Sequence, residues 1–380
     1  MPQQQLIIIG SGMAGYTLLR EIRKLDKQLR ITLICEDGGD FYSKPMLSNA
    51  LDKQKDPQSL VVQNAQKMVE TQNFELVNYT RISSIDTLNQ QISSGSQHWQ
   101  YSRLVLATGA RPFVLPLAGD ATPDILSINN LDDYRRFHEK LQPARQIAII
   151  GPGLIGCEFA NDLLSAAKQV SVIGPDAWPI SNLLPSEIGL FLQHKLEQSG
   201  VSFHLENSVQ TVNRVDSGYQ LTLQDASVIP ADLILSAVGL RANLDLAKGS
   251  TIKTARGFVV DRFLQTSAKN IYALGDCAEV EGLHLPYILP IMQCARALAQ
   301  TLSGSKTAVT YPAMPVAIKT PACPIVVSPP PDRQSDWEIT QTRDGIKALC
   351  HENHQLTGFA LAGDTVSEKQ ALTRLLPAVL

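Results

Sequence analysis

Two clusters of glycine are the first groups in this sequence whose types and spacing could do chemistry. Gly10-Ser11-Gly12-Met13-Ala14-Gly15 fits G-x-G-x-x-G. The first glycine makes a tight turn, the second lets backbone approach a diphosphate, and the third lets a helix pack on a strand. An anion held there sits on the unpaired amides at the positive end of the helix. Further along stands Glu36, with Asp37 beside it, placed to accept hydrogen bonds from a ribose. The second cluster, Gly151-Pro152-Gly153-Leu154-Ile155-Gly156, repeats the pattern and adds Glu158. Its acid is displaced: Gly174 stands where a strand-end carboxylate is expected, and the nearest is Asp176. A 2′-phosphate would need a basic neighbour, and residues 174–184 contain no Arg or Lys, which favours NAD over NADP.

Such groups need a strand, a turn, a helix and a second strand to hold them, and the chain supplies that frame twice. Residues 6–9 are a β-branched apolar run, residues 16–25 carry Leu18, Leu19, Ile22 and Leu25 at helical spacing, and residues 31–34 read as a second buried strand. The pattern returns at 146–150, 154–166 and 170–173. Two copies predict two Rossmann-type units, each with parallel strands joined by a right-handed crossover. The strand-like runs 104–106, before Ala107-Thr108-Gly109, and 233–235, before Ser236-Ala237-Val238-Gly239, would close one sheet each. Another run, 271–274, ends in Gly275-Asp276 and predicts that the first sheet resumes after the second unit has been inserted. The expected organisation is α/β: a discontinuous first domain of residues 1–110 plus 240–310, a second of 111–239, and a small α+β domain of 311–380 containing the stiff Ser328-Pro329-Pro330-Pro331.

The 380 residues, 44% apolar and 18% charged, describe an ordinary globular chain of two or three domains. Thirty-three bases against 36 acids leave a net charge of −3, which argues against a nucleic-acid partner. Cys35, Cys157, Cys277, Cys294, Cys323 and Cys350 are dilute and form no C-x-x-C pair, so a reducing, cytoplasmic setting is expected. The uncharged stretch 1–19 has no basic start and carries the first glycine cluster, so it reads as part of the fold rather than a signal peptide. The last apolar run, 371–380, is broken by Pro377. No membrane insertion is expected.

Two dinucleotide sites in one chain suit a flavin held permanently and a nicotinamide that visits. With them the chain resembles the flavoprotein reductases that have two dinucleotide-binding domains. Tyr272-Ala273-Leu274-Gly275-Asp276 is similar to that family's second FAD box, and Ala107-Thr108-Gly109, followed by Arg111, to its A-T-G turn. Residues 41–51 contain no cysteine, and Cys35 and Cys157 read as core thiols, so electrons are expected to pass directly from flavin to a partner. The loop Tyr42-Ser43-Lys44-Pro45-Met46-Leu47-Ser48 is similar to the Y-x-R-P-P-L-S-K loop of the ferredoxin-reductase branch. Asn49 stands where that branch has a Lys, which leaves Glu158 without the partner it has there. This loop, with Gly156-Cys157-Glu158-Phe159-Ala160-Asn161-Asp162, Cys294-Ala295-Arg296-Ala297 and Lys319-Thr320-Pro321-Ala322-Cys323-Pro324, closely resembles the rubredoxin-NAD reductases.

That resemblance implies an FAD enzyme taking hydride from NADH and passing single electrons to rubredoxin, an acidic iron protein, which would feed an alkane hydroxylase. A ferredoxin, or the rubredoxin-like module of a nitric-oxide reductase, is the alternative acceptor. An FAD/NAD-sensing module of low turnover is the alternative of another class. The implied FAD contacts are Gly10, Ser11, Gly12, Met13, Ala14, Gly15, Glu36, Asp37, Lys44, Pro45, Ile82, Ala107, Thr108, Gly109, Arg111, Gly275, Asp276, Leu289 and Lys319. Those to NAD are Gly151, Gly153, Leu154, Ile155, Gly156, Glu158, Asp176 and Gly239. No side chain is expected to be catalytic, since the flavin is the redox centre, and no metal is expected: His351-Glu352-Asn353-His354 reads as a solvated turn. Pro290 is expected to open a helix whose amides, near Leu289, face the anionic edge of the reduced flavin, with Lys319 as the cation there. For docking an acidic partner, the expected positive field is the helix face of Arg20, Arg23, Lys24 and Lys27, together with Lys44, Lys53 and Lys55.

Overall fold

The structure, a computed structural model, describes residues 5–332 and 335–380, so the first four residues and Arg333 and Gln334 of the polar stretch lie outside it. The β-branched strand Gln5–Ile9 is buried on both faces and lies at the centre of a parallel sheet. The order is Ile271–Ala273, Arg103–Leu106, Gln5–Ile9, Arg30–Ile34, Glu75–Val77. Leu104 pairs with Ile271 and Leu106 with Ala273, so the strand leading into Gly275-Asp276 belongs to the same sheet as the first glycine cluster. The helix Met13–Leu25 buries Leu18, Leu19 and Ile22 against it. This helix starts inside the glycine cluster, earlier than its apolar spacing predicts, and ends at Leu25, so Lys27 lies beyond it.

The second unit repeats the arrangement in Val201–His204, Gln169–Ile173, Gln146–Ile150 and Leu233–Ser236, with the helix Leu154–Ser165 after its cluster. The chain enters this unit through Ala110–Pro112 and leaves it through Leu240–Ala242, two antiparallel strands lying side by side. The C-terminal residues form a five-stranded antiparallel sheet, Val316–Ile318, Ile325–Ser328, Gln355–Gly363, Gly345–Glu352 and Glu338–Gln341. At one hairpin tip Asn353 and His354 both take positive φ, the geometry of a tight two-residue turn. The sheet is not a separate body: Ile318, Val327 and Ala360 share a core with Phe159, Leu163, Ile188 and Leu192 of the second unit.

The helix expected to open at Pro290 is Ile288–Leu302, so Pro290 is its third residue. Proline is tolerated throughout a first turn, because no N–H there has an intrahelical partner, and its presence does not mark the first residue. Among the described residues no helix is long and apolar enough to cross a membrane.

Candidate functional site

The glycines of both clusters divide into packing positions and an open one. A side chain at Gly10 would strike the Ala107 carbonyl, and one at Gly15 the Gly10 carbonyl, whereas one at Gly12 would meet nothing within 4 Å. In the second copy Gly151 is closed by the Ala237 carbonyl and Gly156 by that of Gly151, and Gly153 again is open. Neither helix carries a side-chain cap at Gly12 or Gly153, so the first-turn amides are free for a diphosphate. Both cradles open onto one continuous cavity of about 1470 Å³, larger than the range of about 300–1,000 Å³ usual for one small ligand. The residues therefore fit two dinucleotides meeting end to end.

Every residue expected to contact FAD or NAD lines this cavity except Gly15, Gly156 and Gly275, which lie beneath it where helix, strand and turn pack. On the flavin side the two acids have different tasks. Asp37 accepts from Ser11 Oγ at 2.7 Å and from the Gly39 N–H at 3.0 Å, so it shapes the turn. Glu36 points outward with 62% of its side chain exposed, 3.6 Å from Arg81, and is the acid left for a ribose. Arg111 pairs with Asp245 at 3.0 Å, and Arg81 reaches the same carboxylate at 3.4 Å. Asp276 lines the cavity while its carbonyl accepts from His284 Nε2 at 2.9 Å. Lys44 is half-buried and donates to Asn129 Oδ1 at 2.7 Å; burial lowers its pKa, with Asp276 opposing that shift. Ile82, Pro45 and Leu289 supply apolar wall.

Where the two arms meet, the structure gives Glu158 another partner in place of the one that Asn49 does not supply. Glu158 is 1% exposed, accepts from Ser48 Oγ at 2.6 Å and from the Lys319 backbone N–H at 2.9 Å, and forms an ion pair with Lys319 Nζ. Lys319 also donates to Ser48 Oγ at 2.8 Å. The lysine missing at position 49 is replaced by one from the C-terminal sheet. The next turn of the same helix continues the seam: Asn161 accepts from the Ala322 N–H at 3.0 Å, and Asp162 from those of Leu51 and Asp52 at 3.1 and 2.8 Å. Burial outweighs those two donors and raises the Asp162 carboxyl to about 6.

All six thiols are free and buried. Burial pushes Cys35 and Cys323 up to about 12, Cys294 to about 11, and Cys157 and Cys277 upward as well, so these five are protonated at neutral pH and supply no thiolate relay. The expected basic helix face is also corrected. Arg23 is 9% exposed and donates to the carbonyls of Gln72, Asp26 and Asn73, Arg20 lies over the Phe41 ring at 3.9 Å, and Lys24 pairs with Glu21. An arginine with a long apolar stem can serve as a packing residue, which helical spacing alone does not reveal. Sequence reasoning passed over Ser48, Asn129, Asp245 and Lys369, all lining the cavity. Only Ser48 had a signal, its place in the Tyr42-to-Ser48 loop. The others come from separate segments that only folding brings together.

Comparison with known proteins agrees with this geometry. The family described as pyridine nucleotide-disulphide oxidoreductase matches residues 4–301, and a rubredoxin binding C-terminal domain matches residues 308–376. A rubredoxin-NAD(+) reductase of Acinetobacter baylyi is 44% identical over 386 residues, covering 99% of this chain and 98% of that one. A nitric oxide reductase FlRd-NAD(+) reductase of Aliivibrio fischeri is 38% identical, covering 97% of both chains. The solved structure of a ferredoxin reductase from Rhodopseudomonas palustris has the same fold, with a TM-score of 0.89 at 25% identity over 98% of this chain and 95% of that one. Two glycine cradles on one cavity and a C-terminal sheet that completes it thus have whole-length counterparts, and the chain belongs to the pyridine nucleotide-disulphide oxidoreductase family, in its rubredoxin-NAD(+) reductase branch.

Proposed function

We propose that this chain carries reducing equivalents from NADH, by way of FAD, to rubredoxin in the cytoplasm, on the way to an alkane hydroxylase. The observation that carries the reading is the single cavity lined by both cradles, with buried thiols and no dithiol beside it. A bound flavin takes two electrons together from a dihydronicotinamide and can release them one at a time. The protein's part is to hold and shield. The amides behind Gly12 take the flavin diphosphate, Glu36 the ribose and Asp276 the ribityl chain, while those behind Gly153 take the nicotinamide dinucleotide. Lys44 and the first turn of Ile288–Leu302 offer positive charge to the pyrimidine edge. Lys319, held by Glu158 and Ser48, keeps a cation at the meeting point of the two arms.

The rubredoxin binding domain and the Acinetobacter relative support rubredoxin as acceptor. The Aliivibrio relative favours a second reading, in which the acceptor is the rubredoxin-like module of a nitric-oxide reductase. Steady-state NADH oxidation with rubredoxin, that module and a ferredoxin decides among them. Rubredoxin is expected to be reduced fastest, and NADH-dependent alkane hydroxylation is expected when a hydroxylase is added. Faster reduction of the module would select the second reading. Turnover no faster with any carrier than without one would leave a sensing role.

A further inference from the structure

We propose that Asn129 is the positioning residue of Lys44, an amide from the second unit that holds the flavin-side ammonium in place without neutralising it. The inference rests on the reading that Lys44 offers its charge to the flavin.

The cations of the cavity are partnered in different ways. Among the described residues lining it they are Lys44, Arg81, Arg111, Lys319 and Lys369. Arg111 and Arg81 share the Asp245 carboxylate, Arg81 also lies 3.6 Å from Glu36, and Lys319 is paired with Glu158. Lys44 donates instead to a neutral oxygen, Asn129 Oδ1, at 2.7 Å. A carboxylate partner cancels much of a cation's field, whereas an amide acceptor fixes the ammonium and leaves its charge to act on what enters the cavity. Burial works against that charge, with Asp276 and Asp133 supporting it through space.

Asn129 is itself anchored. Its Nδ2 donates at 2.8 Å to the carbonyl of Ala110, on the strand by which the chain enters the second unit, and its backbone N–H donates to Asp133 Oδ2 at 3.0 Å. With Nδ2 committed to a carbonyl, Oδ1 is the atom left to face the lysine. Asp133 also closes, with Asn130, the capping box of the helix Leu131–Leu141. Three residues before Asn129, Leu126 joins the edge of the second parallel sheet, donating to the Ile234 carbonyl at 2.9 Å and accepting from the Ser236 N–H at 2.7 Å. Two residues after it, the Leu131 N–H donates to the Tyr42 hydroxyl at 3.2 Å. Residues 126–131 thus form a spur of the second unit that reaches the flavin-side loop twice, at Tyr42 and at Lys44. A lysine on a flexible four-carbon stem has many rotamers, and the spur selects one of them.

The test is a double-mutant cycle on the purified holoprotein, read in the flavin midpoint potential and in FAD release on dilution. Lys44→Met is expected to lower the potential by about a tenfold change in the ratio of reduced to oxidised flavin, about 30 mV for a two-electron couple, because the reduced ring is the more negative form. Asn129→Ala, or Asn129→Ser if the alanine variant does not fold, should lower it by less, since the ammonium stays charged but can swing away. The double variant should match Lys44→Met, because the amide acts only through the lysine. If Lys44→Met matches the parent in both quantities, the reading of Lys44 falls and the inference with it. If Lys44→Met moves either quantity while the Asn129 variant leaves it unchanged, or if the two effects add in the double variant, the inference alone is overturned.

Discussion

Glu158 and Lys319 show how much one pair of side chains is asked to do. A carboxylate 1% exposed is stable only if its charge is answered on the spot, and Lys319, Ser48 and a backbone amide answer it. Lys319→Met removes the cation and leaves the carboxylate with two neutral donors. Fully buried pairs broken in this way cost about 3–5 kcal/mol, and because Lys319 keeps 30% of its side chain exposed, about 2–3 kcal/mol is expected in urea unfolding. Adding Glu158→Gln should recover part of that loss, since the uncompensated charge is then gone. A double variant less stable than Lys319→Met alone would mean that Glu158 is held chiefly by its other donors.

The fingerprint helices and the strands before them separate packing from binding within six residues. At Gly15 an added methyl runs into the Gly10 carbonyl, while at Gly12 it enters open space. Gly15→Ala is therefore expected to lower stability by about 1–3 kcal/mol, the usual range for forcing extra volume into a packed contact. Gly12→Ala should change stability by less than about 1 kcal/mol in the flavin-free protein, yet weaken FAD retention, because the methyl occupies the diphosphate's approach. Thermal unfolding of the apoprotein and flavin release on dilution measure the two effects separately. Equal loss of stability in both would remove the distinction. The helix Leu154–Ser165 makes a second test possible through Asp162. Its carboxyl is raised from the ordinary 3.8 to about 6, so the folded state binds the proton more tightly than the unfolded chain. The stability this contributes is complete below 3.8 and disappears as pH rises through 6, an effect of about 3 kcal/mol at neutral pH. Asp162→Asn cannot ionise, so its stability relative to the parent should improve as pH rises from about 4 to about 7 in urea unfolding. A difference independent of pH would show that Asp162 titrates normally.

At the scale of the whole molecule, a chain of net charge −3 meets an acidic partner only through a local positive field. Arg20 and Arg23 are absorbed into packing and Lys44 into the cavity wall, so the exposed Lys24 and Lys53, paired with Glu21 and Asp52, and the exposed Lys27 and Lys55 are what remains of the field expected from the sequence. Steering by exposed charges raises association rates about ten- to a thousandfold at low salt. Rubredoxin reduction is expected to slow with ionic strength, while flavin reduction by NADH in stopped flow does not. Lys53→Glu/Lys55→Glu should flatten that dependence. Arg23→Glu should instead destabilise the fold, because three backbone carbonyls lose their donor. A salt dependence unchanged by the lysine reversal would place the docking field elsewhere.

What the sequence determined by itself follows from short-range rules. Gly10, Gly12 and Gly15, and their counterparts at 151, 153 and 156, answer steric demands made within a few residues. Both cradles, their strands and helices, and the two-dinucleotide fold are legible from spacing and periodicity. Tertiary structure alone decided which polar groups are free and which are spent. Glu36 faces outward because Asp37 is taken by Ser11. Lys319 reaches Glu158 because a C-terminal strand packs on the second unit. Arg23 is buried because the C-terminal end of the helix Ala65–Gln72, capped by Asn73, lies against it. Each of these pairings joins groups distant in sequence, and its energy depends on burial and mutual distance, which come into being only when the chain has packed.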